Sequence, residues 1–375
     1  MQQELTSERA YWLAWTQVHG VGPILLKRLQ EHFGSLGKAW LAPSQDLLAV
    51  NGFGTKILAQ VDKTRSHLEP ARHLQQQLDK NPHFWTPGDP EYPRLLLEIP
   101  TSPPILYHRG QIEIQENQGM VPMVGIVGTR HPTEYGRRWT NKISAALARH
   151  GFTIVSGLAA GIDAEAHRGC LAAGGRTVAV LGTGVDVAYP RSNLKLYREI
   201  EEKGLILSEY PLGTKADRKN FPPRNRIIAG LCRAVLVMEA AQKSGALITA
   251  KYANEFCRDV YALPGSLDNP QSMGCLGLLS KGAHLIWSVG HLLEMLGAIP
   301  QLDPTPKPEE KIQPPPDLKP ELAKILQVIS SEGISVDGIG SKTGLDANSI
   351  FSGLVELELL GLVTQLPGMR YKLGS

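Results

Sequence analysis

The stretch SGLAAGIDAEAHRGC, residues 156–170, carries Asp163 and His167 four positions apart. On a helix that spacing puts a carboxylate and an imidazole on one face, where they could exchange a proton as an acid–base pair or share a metal ion. A third reading needs no chemistry: Gly157 and Gly161 let a strand turn sharply into a helix whose N-terminal dipole Asp163 stabilises. Further along, GTKADRKNFPPRNRIIAGL, residues 213–231, sets Lys215, Arg218, Lys219, Arg224 and Arg226 against one acid, Asp217, within twelve residues, with Phe221 among them. Cations with an interleaved ring suit a single nucleic-acid strand, the cations taking phosphates and the ring a base for about 1–3 kcal/mol. A solvated charged face is the ordinary alternative, but Pro222, Pro223 and the apolar helix that follows hold this run in place. A third cluster, Gly128, Thr129 and Arg130 in GIVGTRHPTEYG, brings backbone N–H groups, a hydroxyl and a guanidinium to one turn after a strand. That donor set fits a phosphate.

Several chemistries lose their support. No Walker A sequence occurs, and GIVGTRHPTEYG lacks the G-x-G-x-x-G spacing of a dinucleotide fingerprint. A metal at Asp163 and His167 would need further ligands at zinc-like spacing, and none is offered. Cys170, Cys232, Cys257 and Cys275 form no C-x-x-C pair, which predicts reduced thiols and no disulfide frame. The opening MQQELTSERA is polar and no apolar run approaches about 18 residues, so a cytoplasmic chain without a membrane span is expected. Net charge is only +3, so any basic surface is local.

These residues need elements to hold them. From about residue 88 to 297, β-branched runs (MVGIVG, FTIVSG, TVAVLG, LILSE, AVLVME and DVYALPG) alternate with helical stretches such as 135–150, 194–203 and 246–258. Near-continuous apolar strands separated by helices predict an α/β, Rossmann-like doubly wound and mostly parallel sheet. In such a sheet ligands lie beyond the carboxyl ends of the strands, where GTR, SGLAAG, GTGVD, SEYP and LPG all emerge. Before it, HGVGPILLKRL at 19–29 echoes NGFGTKILAQV at 51–61. Each is a Gly-x-Gly hairpin opening an amphipathic helix, with Lys27, Arg28 and Lys56 close by, as in a helix-hairpin-helix pair; a small bundle packed on the next domain is the alternative. Eight of the 21 residues from 300 to 320 are proline, which predicts an extended linker. Behind it, Leu322, Ile325, Leu326 and Ile329 keep helical spacing, further helices are expected at 336–343 and 346–360, and GLVTQLPGMRYKL reads as a hairpin. Three helices and a wing make a winged helix. The predicted domains are therefore 1–85, helical; 86–297, the sheet; 298–318, linker; and 319–375, winged helix. Residues 317–375 hold seven acids against five bases and the third helix has no Lys or Arg, which points that module toward protein contacts or regulation rather than duplex DNA, with Lys342, Arg370 and Lys372 as a modest DNA-facing alternative.

GTRHPTEYG, SGLAAGIDAEAH, AVLGTGVDVAYPRSN, SEYPLGT, FPPRNRIIAGL, EAAQKSGALITAKYANE and VYALPG together resemble, in order and wording, the DprA/Smf family of DNA-processing proteins. The likeness covers most of residues 85–290, and the flanking segments resemble those of members with extra domains. It implies an extended Rossmann-like core that binds single-stranded DNA without sequence preference, a homodimer, help in loading a RecA-type recombinase, and neither catalysis nor a cofactor. Carried over residue by residue, the family's phosphate-binding turn falls on Gly128, Thr129 and Arg130, and its strand-binding loop on Arg218, Lys219, Phe221, Arg224, Asn225 and Arg226. Two positions depart from the family's wording: Gly274-Cys275-Leu276 stands where G-T-N is usual, and Cys232 where serine is common. The remaining polar and glycine positions of the crevice are expected to shape it. Asp163, His167, Asp186 and Tyr189 would hold its loops by hydrogen bonds; Ser156, Gly157, Gly161, Gly182, Gly184, Ser244 and Gly245 would line or bend it. The rival expectation is a nucleotide-binding or phosphoribohydrolase-like enzyme on the same type of sheet. LPGSLDNPQSMG lacks the second glycine and the glutamate of that enzyme's P-G-G-x-G-T-x-x-E loop.

Overall fold

The computed structural model describes residues 2–297, 318–329, 334–366 and 370–373, in two compact units, Met1–Asp303 and Pro304–Ser375. All but the last residue of the expected linker at 298–318, and the turn of the expected wing at 367–369, lie outside the described residues.

The first unit is built on one nine-stranded sheet. Its strands are β1 (Phe84–Trp85), β2 (Leu106–Gly110), β3 (Met123–Val127), β4 (Thr153–Ser156), β5 (Thr177–Val180), β6 (Leu205–Ser208), β7 (Ala234–Val237), β8 (Asp259–Ala262) and β9 (His284–Leu285). They lie in the order β1-β2-β6-β5-β4-β3-β7-β8-β9, parallel from β6 to β9, with β2 and β1 added antiparallel at one edge. The chain winds outward from β3 in both directions, a doubly wound α/β fold whose order reverses beside β3. MVGIV follows from that position. Met123 and Val127 enter the core on one face with Leu96, Ile227, Ile228 and Leu231, whereas Val124 and Ile126 enter the opposite core with Ile143, Leu147, Ile162 and Leu292. Each such fully buried aliphatic side chain contributes about 1.5–3 kcal/mol. At Gly125 a Cβ would meet Cys232 Sγ and Val235 Cγ2 at 3.3 Å, so the absent side chain lets the helix Phe221–Leu231 press on the strand.

The helical segment in front shares this core. Ala10 and Leu13 of the helix Gln2–Thr16 are buried in the same cluster as Phe84, Tyr107, Leu181 and Ile206. Arg9 donates to Phe84 O at 2.6 Å and lies 3.2 Å from the Asp89 carboxylate. The repeat read in the sequence is also a repeat in space. Val21 N donates to Val18 O and Phe53 N to Val50 O, at 3.1 and 3.0 Å, with Gly20 at φ +88° and Gly52 at φ +96°. Glycine is needed at both, since positive φ strains other residues. The helices opened by the hairpins, Pro23–Phe33 and Thr55–Arg65, pack on each other's hairpins: Arg28 donates to Asn51 O at 2.7 Å, and a Cβ on Gly20 would touch Ile57. A separate core of Trp12, Trp15, Leu26, Leu29, Trp40 and Phe53 fills the bundle, with Trp15 and Trp40 edge to face at 5.2 Å.

The second unit is a winged helix. Helices Pro320–Val328, Val336–Thr343 and Ala347–Leu359 enclose Leu322, Ile325, Leu326, Ile329, Ile350 and Leu354 beside the strands Ile334–Ser335, Arg370–Leu373 and Val363–Leu366, paired antiparallel in that order. Ser335 Oγ accepts from Gly338 N and Asp346 Oδ1 from Ser349 N, capping the second and third helices where Ser and Asp precede apolar spacing. Among the described residues no helix is long and apolar enough to cross a membrane.

Candidate functional site

The loops that follow β3, β4, β5 and β6 meet beyond the carboxyl ends of the sheet, and close approach is what shapes them. A Cβ on Gly128 would lie 2.6 Å from Ile162 Cγ1 and 2.8 Å from Glu239 O; one on Gly161, at φ +83°, would lie 2.4 Å from Thr129 O. The loops after β3 and β4 are thus in backbone contact, sealed by Ile162 N donating to Thr129 O at 3.1 Å. Glu239, buried just past β7, ties a third loop in: its carboxylate accepts from Thr133 N and Thr133 Oγ1, each at 2.8 Å, and from Asn269 Nδ2 at 3.1 Å. Sequence reasoning overlooked Glu239. The signal was an acid directly after the apolar run AVLVM, where a buried carboxylate must find donors.

The Gly128–Arg130 turn differs from the expected phosphate cradle. Thr129 N is committed to Glu239 O at 2.7 Å, His131 N to Thr129 Oγ1 at 3.2 Å, and Thr129 is buried. Gly128 and Thr129 therefore set the turn, and Arg130 alone of the three reaches outward.

Arg130 points to Phe221. Its guanidinium carbon lies 5.7 Å from the ring centroid, and that of Arg224 lies 5.9 Å from the same ring. The two loops read from sequence as a shared interface thus converge on one aromatic side chain. Gly182 lies against it, since a Cβ there would come within 2.8 Å of Phe221 Cδ1. Tyr189, 42% exposed, lies beside it with centroids 5.5 Å apart and planes 31° apart. Arg218 and Lys219 are exposed on the turn before Phe221, Lys219 within 3.2 Å of Asp217.

Arg224 and Arg226, expected on the strand, are turned inward. Arg224 is 4% exposed; it donates to Gly157 O at 2.7 Å and to Val180 O. Burial lowers its pKa to about 10, against the opposing pull of the Asp163 carboxylate. A Cβ on Gly157 would strike this guanidinium at 2.6 Å, which is why glycine stands there. Arg226 makes a two-pronged pair with Glu209, both contacts at 2.8 Å, and donates to Thr101 O at 3.0 Å. The reason is packing: Phe221–Leu231 is buried from Arg226 to its end, so a cation near its start meets carbonyls and acids from neighbouring loops before it meets water. Asn225 links the group to the loop after β7, donating to Gly245 O and accepting from Arg224 Nε, each at 3.3 Å; Ser244 Oγ accepts from Ala246 N at 3.3 Å.

Asp163 and His167 do not work as a pair. Asp163 accepts from Gly157 N at 3.2 Å and Ala159 N at 3.4 Å, holding the loop after β4, and burial raises its pKa while Arg224 lowers it. Thr177 Oγ1 donates to Ile154 O at 2.7 Å, so His167 Nδ1 donates to that hydroxyl, at 2.7 Å. Ser156 Oγ likewise donates to Ile126 O at 2.6 Å, and Asp186 accepts from Gly213 N with both oxygens, clamping the loops after β5 and β6 together where Gly184 N also donates to Thr214 O. Tyr189 departs from its expected role, for its contact is the ring and its hydroxyl makes no hydrogen bond among the described residues. Among the described residues no cluster of three His, Cys, Asp or Glu could hold a metal.

His167 gives a pH signature. Burial pulls its pKa down to about 3, below the roughly 6.5 of an unfolded imidazole. Below pH 6.5 the unfolded chain therefore takes up a proton that the native chain refuses, and stability falls with pH from there to about 3, by about 1.4 kcal/mol per unit. Asp163, raised by burial, opposes this, so the isolated contribution is read by difference. In denaturant titrations between pH 6.5 and 4.5, His167→Asn is expected to flatten the pH slope by about one proton; an unchanged slope refutes the buried neutral imidazole.

The family described as DNA recombination-mediator protein A matches residues 83–297, and the one described as DprA winged helix domain matches residues 306–369. A protein named Smf from Synechocystis is 53% identical, over 98% of this chain and 99% of its own length. The X-ray structure of DNA processing protein A from Streptococcus pneumoniae superposes with a TM-score of 0.66 at 35% identity, over 75% of this chain and 95% of that one. A Helicobacter pylori DNA processing protein A, whose structure is described by its single-stranded DNA binding mode, superposes with a TM-score of 0.51 at 31% identity, over 57% of this chain and 95% of that one.

Proposed function

This chain belongs to the DprA/Smf family of DNA-processing proteins, and from that premise we propose that it is a single-stranded DNA-binding recombination mediator, without catalysis of its own, that shields incoming strands and helps a RecA-type recombinase load on them during natural transformation. The observation that supports the reading is that the exposed Arg130 reaches the ring of Phe221, which closes the turn on which Arg218 and Lys219 are exposed. Exposed cations there attract phosphates wherever they fall in the sequence, and rings accept any base, so the grip needs no base-specific contact. A strand lying across this mouth would touch Arg130, Arg218 and Lys219 directly, while Arg224, Asn225 and Arg226 keep the loops beneath it in register. The protein would act as a homodimer in the cytoplasm, its winged helix turned to protein partners: the third helix of that unit exposes Phe351, Val355 and Leu359, an apolar stripe with no Lys or Arg.

The test is a shift assay with single- and double-stranded oligonucleotides of equal length over a salt series, repeated with a RecA-type recombinase. Affinity for the single strand should fall steeply with salt, and Arg130→Ala or Lys219→Ala should weaken it and reduce the slope of log K against log salt by about one. The recombinase should assemble faster on strands carrying the protein. Normal binding by Arg130→Ala, or release of free base from nucleoside monophosphates, would favour the enzyme reading instead.

A further inference from the structure

We propose that the outer face of the helix Glu134–Arg149 is a phosphate rail, on which Arg138, Lys142 and Arg149 carry a bound single strand onward after it leaves the mouth of the sheet. This rests on the strand-binding reading above and adds to it a second surface, outside the mouth, that sets how long a strand the protein grips.

The helix's own packing defines the face. Thr140, Ile143, Ser144 and Leu147 are buried, and helical spacing puts Arg138, Lys142 and Arg149, at i, i+4 and i+11, on the side away from them, where all three are exposed. Lys142 stands about 6 Å along the axis from Arg138, and Arg149 about 10 Å further. Their charges are open. None of the three is paired with a carboxylate among the described residues, and Glu134, the helix's one acid, makes no ion pair with Arg138 four positions on. Arg168 on the neighbouring helix, by contrast, is taken by Glu165 at 2.8 Å. Lys142 is restrained without being neutralised: its ammonium lies 4.9 Å from the centroid of the Trp139 ring, which lies 6.3 Å from that of Tyr135, whose hydroxyl donates to Pro264 O at 2.9 Å.

The rail is fixed to the mouth. The helix starts four residues after Arg130, beyond the carboxyl end of β3, and runs back along the face of the sheet opposite to Phe221–Leu231: Ile143 and Leu147 share a core with Val124, whereas Ile227 and Ile228 share one with Met123. Glu239 holds both pieces, its carbonyl accepting from Thr129 N at 2.7 Å and its carboxylate from Thr133, whose Oγ1 caps the helix at Gly136 N. A strand with one phosphate at Arg130 therefore meets the next cations in set places, Arg138 first and Arg149 last. A single strand is flexible enough to turn over the rim and follow them; a duplex, stiff over about 150 base pairs, is not.

The experiment uses the full-length protein with fluorescent thymidine strands of about 6 and about 16 nucleotides and a duplex of the longer length. On a single strand each neutralised phosphate adds about 0.7 to the slope of log K against log salt, which at about 0.1 M salt is worth about fivefold in affinity. The triple variant Arg138→Gln, Lys142→Gln, Arg149→Gln should therefore weaken the long strand about 100-fold and lower its slope by about 2, while the short strand stays within about twofold of the parent. Arg138→Lys with Lys142→Arg, which keeps the charges, should bind as the parent does. All three side chains are exposed, so the unfolding temperature should not move. Lys251→Gln, an exposed cation removed from the helix Ala246–Glu255 on the other face of the sheet, should leave the long strand bound as before. The rail is overturned by an unchanged long strand in the triple variant, an equal loss on the short strand, a loss on the duplex as large as on the long strand, weakening in the charge-keeping variant, or a loss in Lys251→Gln as large as in Lys142→Gln. Each of these leaves the mouth as a strand-binding site. Failure of the parent to bind any single strand overturns that reading itself.

Discussion

Arg224→Met is expected to destabilise the first unit by about 3–5 kcal/mol, the cost of removing one partner from a buried charged group. Methionine fills much of the volume, so the loss is electrostatic and hydrogen-bonded. The carbonyls of Gly157 and Val180 lose their donor, and the buried Asp163 carboxylate loses the cation that opposes its desolvation. At roughly 2–4 °C per kcal/mol for a unit of this size or somewhat smaller, the unfolding midpoint should fall by about 6–20 °C. The defect has a pH sign. With the cation gone, the native-state pKa of Asp163 rises further above its unfolded value, so the native form keeps a proton that the unfolded chain gives up as pH rises. The penalty should therefore be smaller at pH 5 than at pH 8, and Asp163→Asn in the same chain should restore part of it. A variant that unfolds within about 1 kcal/mol of the parent yet fails to bind oligonucleotide would put Arg224 back on the strand.

Phe221→Ala should lower affinity for single strands about 5- to 100-fold, by a route that differs from loss of a phosphate contact. The ring touches Gly182, Tyr189 and two guanidinium groups, so its removal frees Arg130 and Tyr189 to wander and costs order at the moment of binding. The salt slope should stay near that of the parent. Combined with Arg130→Ala, the loss should be less than the sum of the two single losses, since groups in contact are not independent. Strict additivity by titration anisotropy would mean that the cation and the ring engage the strand separately and that the convergence has no functional weight.

Much of the architecture is legible in the sequence because strands buried on both faces read as short, near-continuous apolar runs between helices. MVGIV sends alternate side chains to opposite cores, and the helical spacing of Leu322, Ile325, Leu326 and Ile329 marks the first helix of the second unit. The meeting of two segments was legible: the GTR turn and the basic loop come together at Phe221. What the text hid is the direction each cation faces. Lys219 and Arg224 belong to one run of charge, yet one lies in water and the other under the loops, because the groups that draw Arg224 inward come from β4 and β5 and the acid that holds Arg226 follows β6. No local pattern carries that information, since a helix start offers similar spacing to buried and exposed residues alike. Tyr189 was misread for a related reason. The tyrosine of AYP offers a hydroxyl that suggests a hydrogen bond, and only the fold brings its ring to Phe221.

The helix Gln2–Thr16 is not hung from the sheet by a string. Ala10 and Leu13 lie in the same apolar cluster as Phe84 and Tyr107, and Arg9 is riveted to Phe84 O and Asp89. A partner that took hold of the front bundle would thus be pulling on β1 and β2, through a stiff bracket. Its grip would reach the rest of the first unit as torque on a rigid body, where a loosely tethered arm would have let it dissipate as swing.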